Sequence, residues 1–401
     1  MHRPNFFDTP LEGLFPEDSF GIYVHVPFCV RRCRYCAFVS SVWRQVPSAE
    51  YAAALCREFD ARYGAYGERR LLTLYFGGGT PTMLSDDALE GIVSHIVSCT
   101  GMPEEMTLEA NPEHVTRERA ARWKALGVTR ISLGVQAFDS KMLAFLGRKH
   151  DGDEARNAVK TLLEAGFEEI SIDLIYGGLP EPADAACALA RWRQELALAR
   201  GCGAVHVSCY ELTLEQNTPL WTLQKRGGQI LCDEACLAEM MAVIPGVLSM
   251  AQYEVSNYAR PGYFSAHNMS CWAGVPYLGL GPAAHSLAIE DGRISRRANS
   301  ADVRRWLAAM SAGELPDPEF VEALTPQTHL SERLMCAART RLAWNPARIA
   351  EKLGTSAAPF LPALEKACAQ GLLARAREGF CTTDDGMRLN NRIDALIFDG
   401  I

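Results

Sequence analysis

Three cysteines fall within eight residues in the string His25-Val-Pro-Phe-Cys29-Val-Arg-Arg-Cys33-Arg-Tyr-Cys36. Three thiolates spaced CxxxCxxC suit an iron–sulfur cubane: three irons take one cysteine each and the fourth has no protein ligand. An iron with a free position can bind a small molecule, as a catalytic zinc keeps one position open. The expected molecule is S-adenosylmethionine, chelating through its amino and carboxylate groups, whose sulfonium an electron from the cluster could then cleave. A zinc site with a remote fourth ligand, such as His25 or Cys56, stays open, as do cysteines that are merely buried. Zinc knots usually pair CxxC twice, however, and no second CxxC is present.

Further polar and glycine residues fall where a cofactor would need them. Gly77-Gly78-Gly79-Thr80 follows a strand-like run, so its N–H groups can approach a ligand closely. No Gly-Lys-Ser/Thr follows, which excludes a P-loop; the competing reading is a tight turn. Glu109, Gln136, Arg148 and Asp173 stand at or just beyond strand ends. A cationic sulfonium and two ribose hydroxyls need acceptors, which Glu109 and Asp173 supply. The ligand carboxylate needs a cation, which Arg148 supplies, and Gln136 serves either sense. Salt bridges at a barrel rim are the alternative.

Elements that would position these groups are legible from periodicity. Short, often β-branched runs predict strands over Gly21–Val26, Leu71–Phe76, Met106–Ala110, Arg130–Val135, Glu169–Leu174 and Ala204–Glu211. Helical patterns lie between them over Ser48–Tyr63, Ser85–Ser98, Thr116–Leu126, Gly152–Ala165 and Pro182–Ala199, several stopping at Gly127, Gly166 or Gly201. Such alternation predicts an α/β fold, a partial (β/α)6 TIM-like barrel with chemistry at the C-terminal ends of its strands. The barrel is expected over residues 1–295. After Gly313–Thr325, a segment rich in Pro and acids that reads as a linker, residues 313–401 predict a small winged-helix-like α+β domain: helices, one short strand Gly379–Thr382 and a last helix from Gly386.

With 48% hydrophobic and 22% charged residues over 401 positions, the chain has the make-up of a soluble globular enzyme. A net charge of -8 argues against nucleic acid as a partner. No apolar run reaches the roughly 20 residues of a membrane span, and the N-terminus has no signal-peptide pattern, so a cytoplasmic protein is expected. The other eleven of the fourteen cysteines are scattered and read mostly as small buried hydrophobes.

The strings GIYVHVPFC, CRYC, YFGGGTPT, LEANPE, RISLGVQAF, LGRKH, IDLIYGGLP and YEVSNYARPGY…HN resemble the radical SAM superfamily almost from end to end. In detail they resemble the oxygen-independent coproporphyrinogen III oxidase (HemN-like) group, especially its HemW haem-chaperone branch. That resemblance implies a [4Fe–4S] cluster on Cys29, Cys33 and Cys36. It also implies Gly78, Gly79 and Thr80 at the methionyl end of S-adenosylmethionine, with Tyr23 and Tyr35 beside the adenosyl group and cluster.

Two departures from the oxidase bear on function. The oxidase carries a further Cys two residues after its cluster motif and a longer N-terminal segment; here Ala37 and Phe38 follow Cys36, and 28 residues precede Cys29. Both match the HemW branch, which is understood to bind haem and pass it to acceptor proteins. That branch shows an HNxxYW string; this chain has His267-Asn-Met-Ser-Cys271-Trp272, with Cys where Tyr is expected. His267 is therefore a candidate haem ligand, against the alternative of a histidine bonded within the fold, and Cys271 is a weaker one. An oxidase, a methyltransferase using two S-adenosylmethionines and a binding protein with a redox-inert cluster stay open, as does a homodimer. The acceptor protein is not specified by sequence.

Overall fold

The computed structural model describes residues 6–290 and 292–398. Residues 1–5, 291 and 399–401 of the two expected domains lie outside that description. Six parallel strands, β1 (Ser19–Val26), β2 (Arg70–Gly78), β3 (Glu105–Ala110), β4 (Arg130–Gln136), β5 (Glu169–Tyr176) and β6 (His206–Glu211), pair in sequence order. They are the six strands expected, and most run a residue or two longer. Their inward and outward faces are both buried, as helical crossovers on a parallel sheet require.

The crossover helices start where side chains can take up their free N–H groups. The sequence is α1 (Ser48–Arg62), α2 (Asp86–Thr100), α3 (Arg117–Ala125), α4 (Ser140–Leu146), α5 (Gly152–Glu164) and α6 (Ala185–Gly201). Ser85, Thr116 and Asp184 cap α2, α3 and α6, and Asp151 with Glu154 forms a reciprocal capping box on α5. The main core runs along the strands and includes Ile22, Val24, Leu74, Phe76, Leu108, Ile131 and Ile172.

Both edges of the sheet extend beyond the six-unit expectation, to twelve strands. On the β6 side come the short antiparallel β7 (Ala251–Gln252) and β8 (Asn257–Ala259). On the β1 side lies a seventh parallel strand, β9 (Tyr277–Leu280), followed by antiparallel β10 (His285–Glu290), β11 (Arg293–Asn299) and β12 (Pro318–Leu324). Strand β12 corrects the linker reading of Gly313–Thr325: most of that segment is the edge of the sheet. An edge strand tolerates Pro at its start and exposed acids, the features that suggested a loop.

Beyond it, helices Pro326–Ala338, Pro346–Lys352 and Leu361–Ala369 precede a hairpin of Leu373–Ala376 with Gly379–Thr382, and two helices finish the chain. Their core recruits Phe6, Leu11 and Phe15 from the N-terminal segment, and Tyr253 and Met269 from the barrel side. The short helix Ala266–Trp272 is tied to the barrel by Glu105 at the start of β3. That carboxylate accepts hydrogen bonds from the Ala266 and His267 N–H groups at 2.7 and 3.0 Å. Glu105→Ala leaves these buried donors unpaired and is expected to cost about 1–3 kcal/mol. A lower urea midpoint at unchanged slope is the measurement that checks this.

Candidate cofactor site

The cysteine loop folds back across the C-terminal end of β1. Phe28–Cys29 pairs with Ser41–Val42, the Ser41 N–H donates to the Pro27 carbonyl at 2.7 Å, and the Trp43 N–H donates to the Cys29 carbonyl at 3.1 Å. The Arg34 N–H reaches the Leu146 carbonyl at 3.0 Å, pinning the far side of the loop to α4. Cys29, Cys33 and Cys36 are free, partly exposed thiols, and all three line one cavity of about 610 Å³. Burial pushes the Cys29 and Cys36 thiols above their ordinary range, so ligation has to displace their protons.

The glycines let this loop lie close over the β2 turn. A Cβ on Gly79 would stand 2.9 Å from the Phe28 carbonyl oxygen, and its N–H donates to the Val26 carbonyl at 2.8 Å. Gly78 has φ +110°, and a Cβ there would meet the His25 ring at 2.7 Å. His25 in turn bonds Tyr23 Oη through Nδ1 at 3.0 Å and the Val39 carbonyl through Nε2 at 2.8 Å. With both ring nitrogens engaged, His25 is a brace for the loop and poorly suited to be a fourth zinc ligand. Cys56 is not among the cavity-lining residues.

Tyr35, Gly78, Gly79, Thr80, Glu109, Gln136, Arg148 and Asp173 line the same cavity. Glu109 is held at both oxygens, accepting from Tyr75 Oη at 2.7 Å and from the Gly78 N–H at 3.1 Å. Burial nevertheless pushes its carboxyl up to about 7, against the lowering effect of the Tyr75 hydrogen bond. Asp173, raised by burial as well, accepts from Ser132 Oγ at 3.3 Å. Arg148 donates to Asn111 Oδ1 at 2.6 Å, to the Gly134 carbonyl at 2.8 Å and to Cys33 Sγ at 3.6 Å. Its Nε–H is buried with no protein acceptor. Gln136 ends β4 at φ +67°, beside a register shift, a left-handed conformation uncommon for a side-chain-bearing residue and enriched at functional sites.

Two of the sequence-derived residues are set apart from this cavity. Tyr23 lies beneath it against His25 and Tyr75. His267 lies deeper, toward the N-terminal end of β2: its Nδ1 bonds Thr73 Oγ1 at 2.8 Å and its ring stacks on Tyr75 at 4.6 Å. Burial pushes the His267 pKa down to about 3. Residues that the sequence reading missed include Tyr75, Asn111, Ser132 and Tyr210. Tyr75 and Asn111 stand inside the strings YFGGG and EANPE. Tyr75 shares a strand face with Gly77, a period-two signal that could have found it.

The donor set fits a cubane and an amino-acid-bearing nucleoside: three thiols on one loop, an unpartnered guanidinium N–H and two half-buried carboxyls. Cys33→Ala is expected to lose iron, sulfide and the brown charge-transfer absorption on reconstitution; full retention of iron and sulfide refutes the assignment. For Glu109 the sign follows from its raised pKa. A cationic ligand favours the ionised carboxyl, so S-adenosylmethionine affinity should climb as pH rises through about 7 and level above it. Glu109→Gln should remove about tenfold of that climb between pH 6 and 8. Comparing the two proteins by equilibrium dialysis cancels the ligand's own titration.

The Radical SAM superfamily model matches residues 23–192, and the HemN C-terminal domain model matches residues 324–389. The chain is 30% identical over 380 residues to the Heme chaperone HemW of Bacillus subtilis (strain 168), covering 92% of this chain and 97% of that one. It is 31% identical over 388 residues to the Heme chaperone HemW of Escherichia coli (strain K12), covering 93% and 96%. Among solved structures, coproporphyrinogen III oxidase (HemN) from Escherichia coli superposes with a TM-score of 0.77 at 20% identity, over 96% of this chain and 92% of that one. That likeness concerns the fold. The chain belongs to the radical SAM superfamily and, within its HemN-like group, to the HemW branch, a membership that implies a [4Fe–4S] cluster and S-adenosylmethionine.

Proposed function

We propose that this protein is a haem chaperone that binds a [4Fe–4S] cluster, S-adenosylmethionine and haem, and hands haem to an acceptor protein. The observation that carries the reading is its match, over nearly the full length of both chains, to relatives named as haem chaperones. Ala37 and Phe38 support it, since they stand exposed on the loop where the oxidase reading calls for another thiol. A reducing cytoplasm suits fourteen cysteines that are all free, and among the described residues no helix is long and apolar enough to cross a membrane.

In this reading Cys29, Cys33 and Cys36 hold the cluster, which supplies an electron when bound. Thr80, 3.7 Å from Cys29 Sγ, and Arg148 steady the thiol loop. The unpaired Arg148 Nε–H receives the carboxylate of S-adenosylmethionine, and the Gly78–Gly79 turn, whose N–H groups are held by Glu109 and Val26, lies against its methionyl end. Glu109, Asp173 and Gln136 accept from its hydroxyls and face its positive charge.

Haem titration of the anaerobically reconstituted protein tests the function. A Soret shift saturating near one equivalent is expected; no shift at stoichiometric haem ends the chaperone reading. His267 is buried against Tyr75 with its Nδ1 held by Thr73, outside the cavity, so His267→Ala should keep the Soret shift. It should also unfold at lower urea, having lost a buried ring.

A further inference from the structure

The loop that carries the cysteines has a surface unlike the rest of the chain. Between Val30 and Arg44 stand Arg31, Arg32, Arg34 and Arg44 with no acidic residue, on a chain of net charge -8. Among the described residues none of these four arginines has a carboxylate partner. Interleaved with them are exposed apolar side chains, Val30 at 49%, Phe38 at 68% and Val42 at 59% exposure. The backbone beneath is fixed by the Ser41, Trp43 and His25 hydrogen bonds and by Trp43 packed edge-on to Phe28. These apolar groups are thus held out in water by a braced loop, which costs solvation unless something covers them.

The interior of the cavity has the opposite character. Glu109, Glu113, Asp173, Glu211 and Glu215 outnumber Arg148 and Lys149 in its lining, and its volume of about 610 Å³ is that of one drug-sized ligand. Cluster and S-adenosylmethionine account for that space, which leaves none inside for a porphyrin. Val30, Arg31, Arg32 and Phe38, by contrast, line the mouth. An apolar ring carrying two carboxylates matches these residues in apolarity and charge.

We propose that the Val30–Val42 loop is the haem-docking surface: the porphyrin lies on Val30 and Phe38 at the cavity mouth and extends to exposed Val42, which pairs with Cys29 at the loop's base, with its propionates on Arg31 and Arg32. This rests on the haem-chaperone reading and names where its cargo sits. Haem and cofactor would then meet at one rim, with the cluster loop as the wall between them.

The experiment is a haem titration of the reconstituted full-length protein as wild type, as Arg31→Glu/Arg32→Glu and as Phe38→Ser/Val42→Ser. Iron, sulfide and circular dichroism confirm that each variant keeps its cluster and fold; the substituted side chains are exposed, so both should. A haem dimethyl ester, which lacks the propionate charges, is titrated in parallel. Charge reversal should weaken haem about tenfold or more, with the loss shrinking at high salt, and leave the ester within about twofold. Removing the apolar pair should weaken both ligands. The inference is overturned if cluster-loaded variants bind haem like wild type, an outcome that leaves the chaperone reading standing. Variants that keep haem but lose cluster reduction by an acidic redox protein would overturn it too, by assigning the loop to that partner. Wild type that fails to bind haem sinks both readings together.

Discussion

The cavity depends on two strand ends meeting with no side chain between them. β1 and β2 run in parallel register to Val26 and Gly78, and the Gly79 N–H then bonds back to the Val26 carbonyl. A Cβ at Gly79 would press on the Phe28 carbonyl; one at Gly78 would press on His25. Displacing His25 would release the Val39 carbonyl that its Nε2 holds, and with it the outer half of the cysteine loop. Backbone freedom at two glycines therefore reaches the spacing of three thiols some fifty positions earlier in the chain. Thr80, the next residue, then contacts Cys29 directly.

Electrostatics inside the barrel follow from the same compression. Tyr75, Tyr23 and His267 stack in the space below the glycine turn. Tyr75 connects that stack to the cavity, since its hydroxyl fixes Glu109 while its ring covers His267. Burial drives the two titratable ends in opposite directions, Glu109 up and His267 down, and both moves favour the neutral form. A neutral interior is cheaper to bury and leaves Glu109 poised to ionise when a cation arrives. Arg148 is the counterweight: burial opposes its charge, but Tyr35, Cys33 and Glu113 favour it, and it stays a cation beside the thiols.

The sequence made the parallel strands and the cysteine loop legible because each signal is local. Strands buried on both faces read as apolar runs, and CxxxCxxC is contained in one loop. The edges were not legible. β9 is four residues that join the sheet beside β1, more than 250 positions from it in sequence, and β12 reads as a linker because its partner supplies what its composition does not. His267 shows the same limit in the site. Its string resembled a ligand motif, yet Glu105 caps the helix that carries it and Thr73 takes its ring nitrogen, and both partners lie over 150 positions away. Tyr75 and Asn111 stand inside recognisable motifs, but their roles are contacts to Glu109 and Arg148, which alternation alone does not reveal.

Charge changes from the floor of the cavity to its mouth, and the proposed docking of haem rests on that change. Inward, carboxyls and one guanidinium suit a zwitterionic, cationic nucleoside. At the mouth, arginines with no carboxylate partner among the described residues and bare apolar groups suit an anionic, apolar one. The Phe28–Cys29 and Ser41–Val42 ladder fixes the loop's base, and the residues between bring the thiols into the cavity while Arg31, Arg32 and Phe38 stand exposed at its mouth. The absence of a further thiol after Cys36 belongs to that division. A cysteine at Phe38 would put a reactive group at the cavity mouth, where the structure has an aromatic side chain 68% exposed.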